Sequence, residues 1–314
     1  MTEPDQNRYA IAFTASLLKI AQTIALKETN KDRQLKKRRV VEKKLSMFRE
    51  AYPEATLGVD LRGDSLAIVR GSWDRSDALR LLVDLSFADP FAPYQLKYKD
   101  KDYADGLQLV AVALKLTAAD VERVRETRKR AIKAHKHIAW GKIAAYGLGG
   151  LVVVGLGGWM FAPLIGSTIG VAAGLSGAAA TSHGLAILGG GSLAIGGMGM
   201  AGGMWIVTGV AAAVGGGMLG GGTLLLNLGA AQAKVELVKL QMNYKLVLLE
   251  NHVQQAKTQQ VIRGLAAQRD AIAAELADER KLNEKNSARL KDMEETLRAV
   301  EDALGWIKDL SDAA

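Results

Sequence analysis

Between Ile143 and Ala233 the chain runs for 91 residues without one Asp, Glu, Lys or Arg, and 27 of its 34 glycines fall in that stretch. A membrane helix needs about 20 apolar residues, because each adds about 1.5 Å and the hydrocarbon core is roughly 30 Å thick. The stretch therefore has room for about four spans. A globular domain has little use for so long a run without charge, since its helices turn a polar face to water. The competing reading is a glycine-rich helical pack buried by the rest of the chain or by partner subunits.

Pro163 with Gly166, the run Gly189 to Ser192, and Gly215 to Gly217 are the expected breaks. They divide the stretch into spans near 143–162, 168–188, 193–214 and 218–233, with two spans as the fallback. The last is short and contains Asn227, which suits a tilted or re-entrant segment. Gly166, Gly170 and Gly174 recur every four residues and share one helix face; Gly199 with Gly203, and Gly217 with Gly221, repeat the spacing. Such faces let helices approach closely in lipid. Without an internal Asp, Glu, Lys or Arg, an ordinary proton relay or charged filter is excluded within one subunit. An anchor, a pore assembled from several subunits, or a membrane-disrupting hairpin fits better.

The formal net charge of +8 is concentrated in two tracts. Eight basic residues lie between Lys31 and Lys44 against Asp32 and Glu42, and eight more between Arg123 and Lys142, opposed within that run by Glu126. The second tract directly precedes the uncharged stretch, and Lys234, Lys239 and Lys245 follow it. The positive-inside rule then puts both termini in the cytoplasm and asks for an even number of crossings. Arg125, Arg128, Lys129, Arg130, Lys133 and Lys136 are the candidate headgroup contacts, with anionic membrane lipid as the partner. Nucleic acid is the poorer partner, because neither tract is interleaved with stacking aromatics and a chain without cysteine has no zinc-finger spacing.

Outside the uncharged stretch, Arg8 to Arg49 reads as a long basic helix closed by Pro53, giving a first region of 1–52. Residues 53–118 read as a small α+β domain. In it Thr56–Leu61 and Ser65–Arg70 form a hairpin turning on Arg62, Gly63 and Asp64, Trp73–Leu85 a helix, Tyr94–Tyr98 a strand, and Leu107–Leu116 an apolar strand or short helix. Thr117 is placed to cap a basic juxtamembrane helix over 119–142. The glycine-rich transmembrane segment takes 143–233, and 234–314 reads as a helical coiled-coil region. There Leu290, Met293, Leu297, Val300, Leu304 and Ile307 alternate by three and four, a stripe that must be covered by another helix of the chain or by a second copy in a homo-oligomer. The expected fold class is mainly α, with a multi-span glycine-rich helical membrane segment, a small α+β N-terminal domain and a C-terminal helical coiled-coil region.

Catalytic signatures fail on spacing. A phosphate-binding loop needs glycine, four residues, then Gly-Lys-Ser or Gly-Lys-Thr; Gly141 and Lys142 have Lys136 at the first position and Ile143 at the last. His135 and His137 lie among cations at a two-residue spacing that does not share a helix face, so they read as surface residues. Asp60, Asp64, Asp100, Asp102 and Asp105 are the only candidates for a small cation site, although turns accumulate aspartate anyway. No cofactor is expected.

From Ser182 to Gly203 the chain reads Ser-His-Gly-Leu-Ala-Ile-Leu-Gly-Gly-Gly-Ser-Leu-Ala-Ile-Gly-Gly-Met-Gly-Met-Ala-Gly-Gly. This resembles the glycine-rich hydrophobic segment of bacterial membrane-associated proteins, some linked to defence or toxicity, and that of the transmembrane and coiled-coil α/β hydrolase family. The resemblance covers the 91-residue stretch of a 314-residue chain. The hydrolase family's serine elbow is missing, since Ser192 has Gly190 before it but Ala194 in place of the second glycine. It therefore implies a membrane element and no catalytic residue. The function expected is a membrane-associated effector or scaffold that oligomerises in or perturbs the bacterial inner membrane. The alternatives are a membrane-anchored enzyme using residues 53–118, and a soluble helical toxin that inserts residues 143–233.

Overall fold

The computed structural model describes residues 3–91, 94, 96–134, 230–248, 255–282 and 287–312, which fall into two units, one within 3–130 and one that includes 230–312. The first unit is built around α1 (Glu3–Lys27). Tyr9, Phe13, Leu17, Ile20 and Ile24 recur at the helical period, while Ala12, Ala15, Ala21 and Ala25 fill the remaining sides, so α1 is buried nearly all round from Ala12 to Ala25. Gly106 sets its closest approach: a Cβ there would lie 2.9 Å from the Ile20 Cα, a separation that side-chain carbons do not tolerate.

The stretch read as one helix from Arg8 to Arg49 is two helices. Asn30 caps α2 (Lys31–Ala51), its Oδ1 accepting from the Arg33 amide at 3.0 Å. Short helices α3 (Pro53–Thr56) and α4 (Leu61–Asp64) and a 3-10 turn over Ser65–Ile68 follow, then α5 (Arg75–Ser86), α6 (Asp100–Ala113) and α7 (Ala118–Ala134).

No strand occurs among the described residues, which corrects the expected α+β domain over 53–118. Where a hairpin turn was expected at Arg62, Gly63 and Asp64, the Asp60 carboxylate accepts from the amides of Arg62 (3.2 Å) and Gly63 (3.1 Å) and closes a helical turn. The apolar run after Leu107 belongs to α6, which buries Leu107, Val110 and Ala111 against its neighbours, with Leu114 buried just beyond its end. α6 ends on Lys115 at φ 61°, with the Leu116 amide donating to the Ala111 carbonyl at 2.8 Å, a Schellman-type closure that ordinarily takes glycine. Buried hydrogen bonds tie α1 to distant segments, among them Tyr9 Oη donating to Asp84 Oδ2 (2.8 Å) and Gln22 Nε2 to the Leu61 carbonyl (2.8 Å). Burial, then the Asp84 charge, holds the Tyr9 hydroxyl well above its ordinary pKa.

The second unit contains α8 (Ala230–Asn243), which continues as a π turn over Tyr244–Leu248, with α9 (Gln255–Leu282) and α10 (Ala288–Asp312). α10 packs on both α8 and α9 of the same chain. Leu290, Met293, Val300, Leu304 and Ile307 are buried in it, and Leu297 is partly buried against Leu276, Leu290 and Met293. Ion pairs flank the seam, among them Lys234 with Glu295 at 2.5 Å and Arg280 with Glu294 at 2.7 Å.

Among the described residues no helix is long and apolar enough to cross a membrane. On this finding the expected multi-span architecture, its transmembrane character and the inner-membrane placement with both termini in the cytoplasm are corrected. α2, α5 and α10 carry charged residues along their length and bury apolar residues on their inner faces. Residues 143–229, with Gly166, Gly170, Gly174, Gly199, Gly203, Gly217 and Gly221, lie outside the described residues.

Candidate functional site

The cations of α2 divide between two faces. Lys37, Val40, Val41, Lys44, Leu45 and Phe48 point inward and are buried, whereas Lys31, Arg33, Leu35, Lys36, Arg38, Arg39 and Lys43 are exposed. The inward lysines are fixed. Lys37 Nζ donates to Glu28 Oε2 at 2.7 Å, and Glu28 also accepts from the Asn30 amide at 3.1 Å. The Lys37 hydrogen bond and then the Asn30 amide hold the Glu28 carboxyl down at about 2.

Lys44 Nζ donates to the Pro90 carbonyl at 2.7 Å. Burial pushes its ammonium down to about 7 against the pull of Asp89, and burial likewise raises Asp89 to about 6 against the Phe91 amide and Lys44. Residues around this contact are stapled from other helices. Tyr103 Oη donates to the carbonyls of Leu85 and Ala88, Tyr98 stacks on Tyr103 with centroids 5.7 Å apart, and Lys37 sits over the Phe91 ring at 5.8 Å. The inward side of α2 is thus a mount.

The outward side has few partners. Arg33 reaches Glu28 at 3.4 Å, and Lys43 lies over the Tyr94 ring at 5.7 Å. Lys31, Lys36, Arg38 and Arg39 have no hydrogen bond or ion pair with any described residue. Two acids share the face: Asp32, exposed four residues before Lys36, and Glu42, which is taken by Arg62 at 2.9 Å. Leu35, 51% exposed, lies among them, one turn from Lys31, Arg38 and Arg39. At about 1.5 Å per residue, the row from Lys31 to Lys43 extends about 18 Å.

The tract singled out for headgroup contact behaves differently. On α7, Arg125 pairs with Glu122 at 2.8 Å and Arg130 with Glu126 at 3.2 Å, while Arg128 lies over the Phe87 ring at 5.1 Å. Lys129 and Lys133 have no partner among the described residues, and Lys136 lies outside them. The start of α7 is locked by reciprocal capping: Asp120 Oδ2 accepts from the Thr117 amide (2.9 Å) and hydroxyl (2.8 Å), and the Asp120 amide donates to Thr117 Oγ1 (3.2 Å). Arg75 Nη2 at 2.6 Å and Arg123 Nη2 at 3.2 Å complete the shell of Asp120, whose side chain is 4% exposed. Burial works to raise this carboxyl, and the Thr117 and Arg75 hydrogen bonds outweigh it, leaving the pKa below its ordinary 3.8.

The five aspartates are not brought together as a cation site; among the described residues no group of three or more His, Cys, Asp or Glu could hold a metal. Asp60 caps α4, Asp64 pairs with Arg70 at 2.5 Å, Asp105 pairs with Lys27, and Asp100 and Asp102 lie in the first turn of α6. His135 and His137 lie outside the described residues. Sequence reasoning missed the split between the two faces of α2, although Lys37 and Lys44, seven residues apart, share the phase of Val40, Val41 and Phe48. Comparison with models of known protein families, with curated proteins and with solved structures finds no match to this chain, so the outward face of α2 is characterised by its chemistry alone.

Proposed function

We propose that the chain is a helical scaffold or effector that acts by binding, docking the outward face of α2 onto a phosphate-rich polyanion. The observation that carries this reading is the group Lys31, Lys36, Arg38 and Arg39: four exposed cations without a partner among the described residues, on a helix whose other face is held by Lys37 and Lys44. Free cations on a fixed support keep their field directed outward, and docking orders little beyond side chains. Retention on phosphocellulose, eluted with rising salt, tests it, because contacts between exposed charges fade as the Debye length falls from about 10 Å at 0.1 M. The wild-type chain is expected to elute late, and the triple variant Lys36→Glu, Arg38→Glu, Arg39→Glu markedly earlier with its thermal unfolding unchanged. Elution of both at the same salt would refute docking through α2.

A further inference from the structure

We infer that the polyanion is a layer of anionic lipid headgroups, met side-on by α2 without crossing it. This rests on the docking reading above and names its partner. The outward face carries Asp32 and the Arg62-paired Glu42 beside its more numerous cations, and one apolar group, Leu35, 51% exposed among Lys31, Arg38 and Arg39. Nucleic-acid phosphates gain nothing from a leucine, and binding of unpaired strands draws on aromatic side chains. Of the aromatics near this face, Tyr94 is already covered by the Lys43 ammonium. On an anionic lipid surface Lys and Arg meet phosphate, and an apolar side chain beside them can enter the boundary between headgroup and acyl chain. The contact is peripheral, because Val40, Val41, Leu45 and Phe48 are occupied in the protein core.

Sedimentation of the full chain with vesicles tests the inference. Phosphatidylcholine alone is compared with phosphatidylcholine containing phosphatidylglycerol, with duplex DNA and inorganic phosphate as separate competitors. Binding is expected only where phosphatidylglycerol is present. Arg38→Ala with Arg39→Ala should lower it about 25-fold, at about fivefold per cation. Leu35→Ser should weaken vesicle binding several-fold while leaving phosphocellulose elution unchanged. A wild-type chain that is retained on phosphocellulose but ignores phosphatidylglycerol vesicles overturns the lipid inference and leaves polyanion docking standing; indifference to both overturns both. Equal binding to vesicles without phosphatidylglycerol, or an Arg38/Arg39 variant that binds as well as wild type, assigns the contact elsewhere and overturns the inference. Tighter binding to duplex DNA than to phosphatidylglycerol vesicles at the same salt overturns the inference and gives the face to nucleic acid.

Discussion

The basic tracts of α2 and α7 look alike when cations are counted and differ when their neighbours are placed. α7 sets Glu122 and Glu126 three and four residues from Arg125 and Arg130, on the same stretch of helix surface, so those two pairs cancel locally and leave Lys129 and Lys133. α2 has Asp32 and Glu42 among its exposed residues, and Glu42 is taken by Arg62, a residue of another helix. The external field of a basic helix depends on where its acids point. The larger set of unpartnered cations belongs to α2, four against Lys129 and Lys133 among the described residues of α7, and α7 contributes an anchoring point at Asp120.

Removing matched pairs of cations is the hardest test of this contrast. Arg38→Ala with Arg39→Ala is expected to cost about 25-fold in affinity for acidic vesicles, whereas removing whole pairs, Glu122→Ala and Arg125→Ala with Glu126→Ala and Arg130→Ala, should cost less than about threefold, because each pair is neutral. Equal losses would erase the distinction. Next in size is the anchor of α7. Asp120→Ala removes the acceptor for two Thr117 donors and two arginines, and should lower stability by about 2–4 kcal/mol in urea unfolding; a loss below about 1 kcal/mol would make the cap redundant. Because the folded pKa of Asp120 lies below 3.8, this contribution is complete at neutral pH and disappears as the pH falls below that value.

A gain of function sharpens the comparison from the other side. Glu122→Gln with Glu126→Gln unmasks Arg125 and Arg130, and should raise phosphocellulose retention and vesicle binding by about threefold to tenfold. Unchanged binding would mean that α7 is turned away from the docking plane. The smallest effect concerns the mount of α2. Burial holds the Lys44 ammonium below its ordinary 10.5, so its charged form is disfavoured by folding, and that cost is relieved as the pH rises from neutrality towards 10.5. The melting temperature of wild type relative to Lys44→Met should therefore climb over that range, and a flat difference would show that Lys44 stays protonated in the fold.

Local signals were legible where a single turn decides the structure. Thr117 marks the start of α7, and the apolar stripe on α10 follows its heptad-like spacing into a seam. Short apolar runs were not legible as to type. Thr56–Leu61 and Ser65–Arg70 have the length of strands, and the Arg62 and Gly63 amides on the Asp60 carboxylate, with the Asp64 amide on the Asp60 carbonyl, turn the intervening residues into a helix. The two faces of α2 were hidden for another reason. Lys37 is recruited by Glu28 across a helix break, and Lys44 by Pro90, 46 residues along the chain; neither partner leaves a mark in the local pattern.

The contact between Ile20 and Gly106 also has a consequence for biosynthesis. At about 5–20 residues per second, the 86 residues between these positions take a ribosome roughly 4–17 s to add. Throughout that interval α1, apolar on nearly every side, has been made without the helix that closes over it. Within its unit α1 is therefore made well before it is enclosed, and for that interval its apolar surface is carried on the nascent chain without α6.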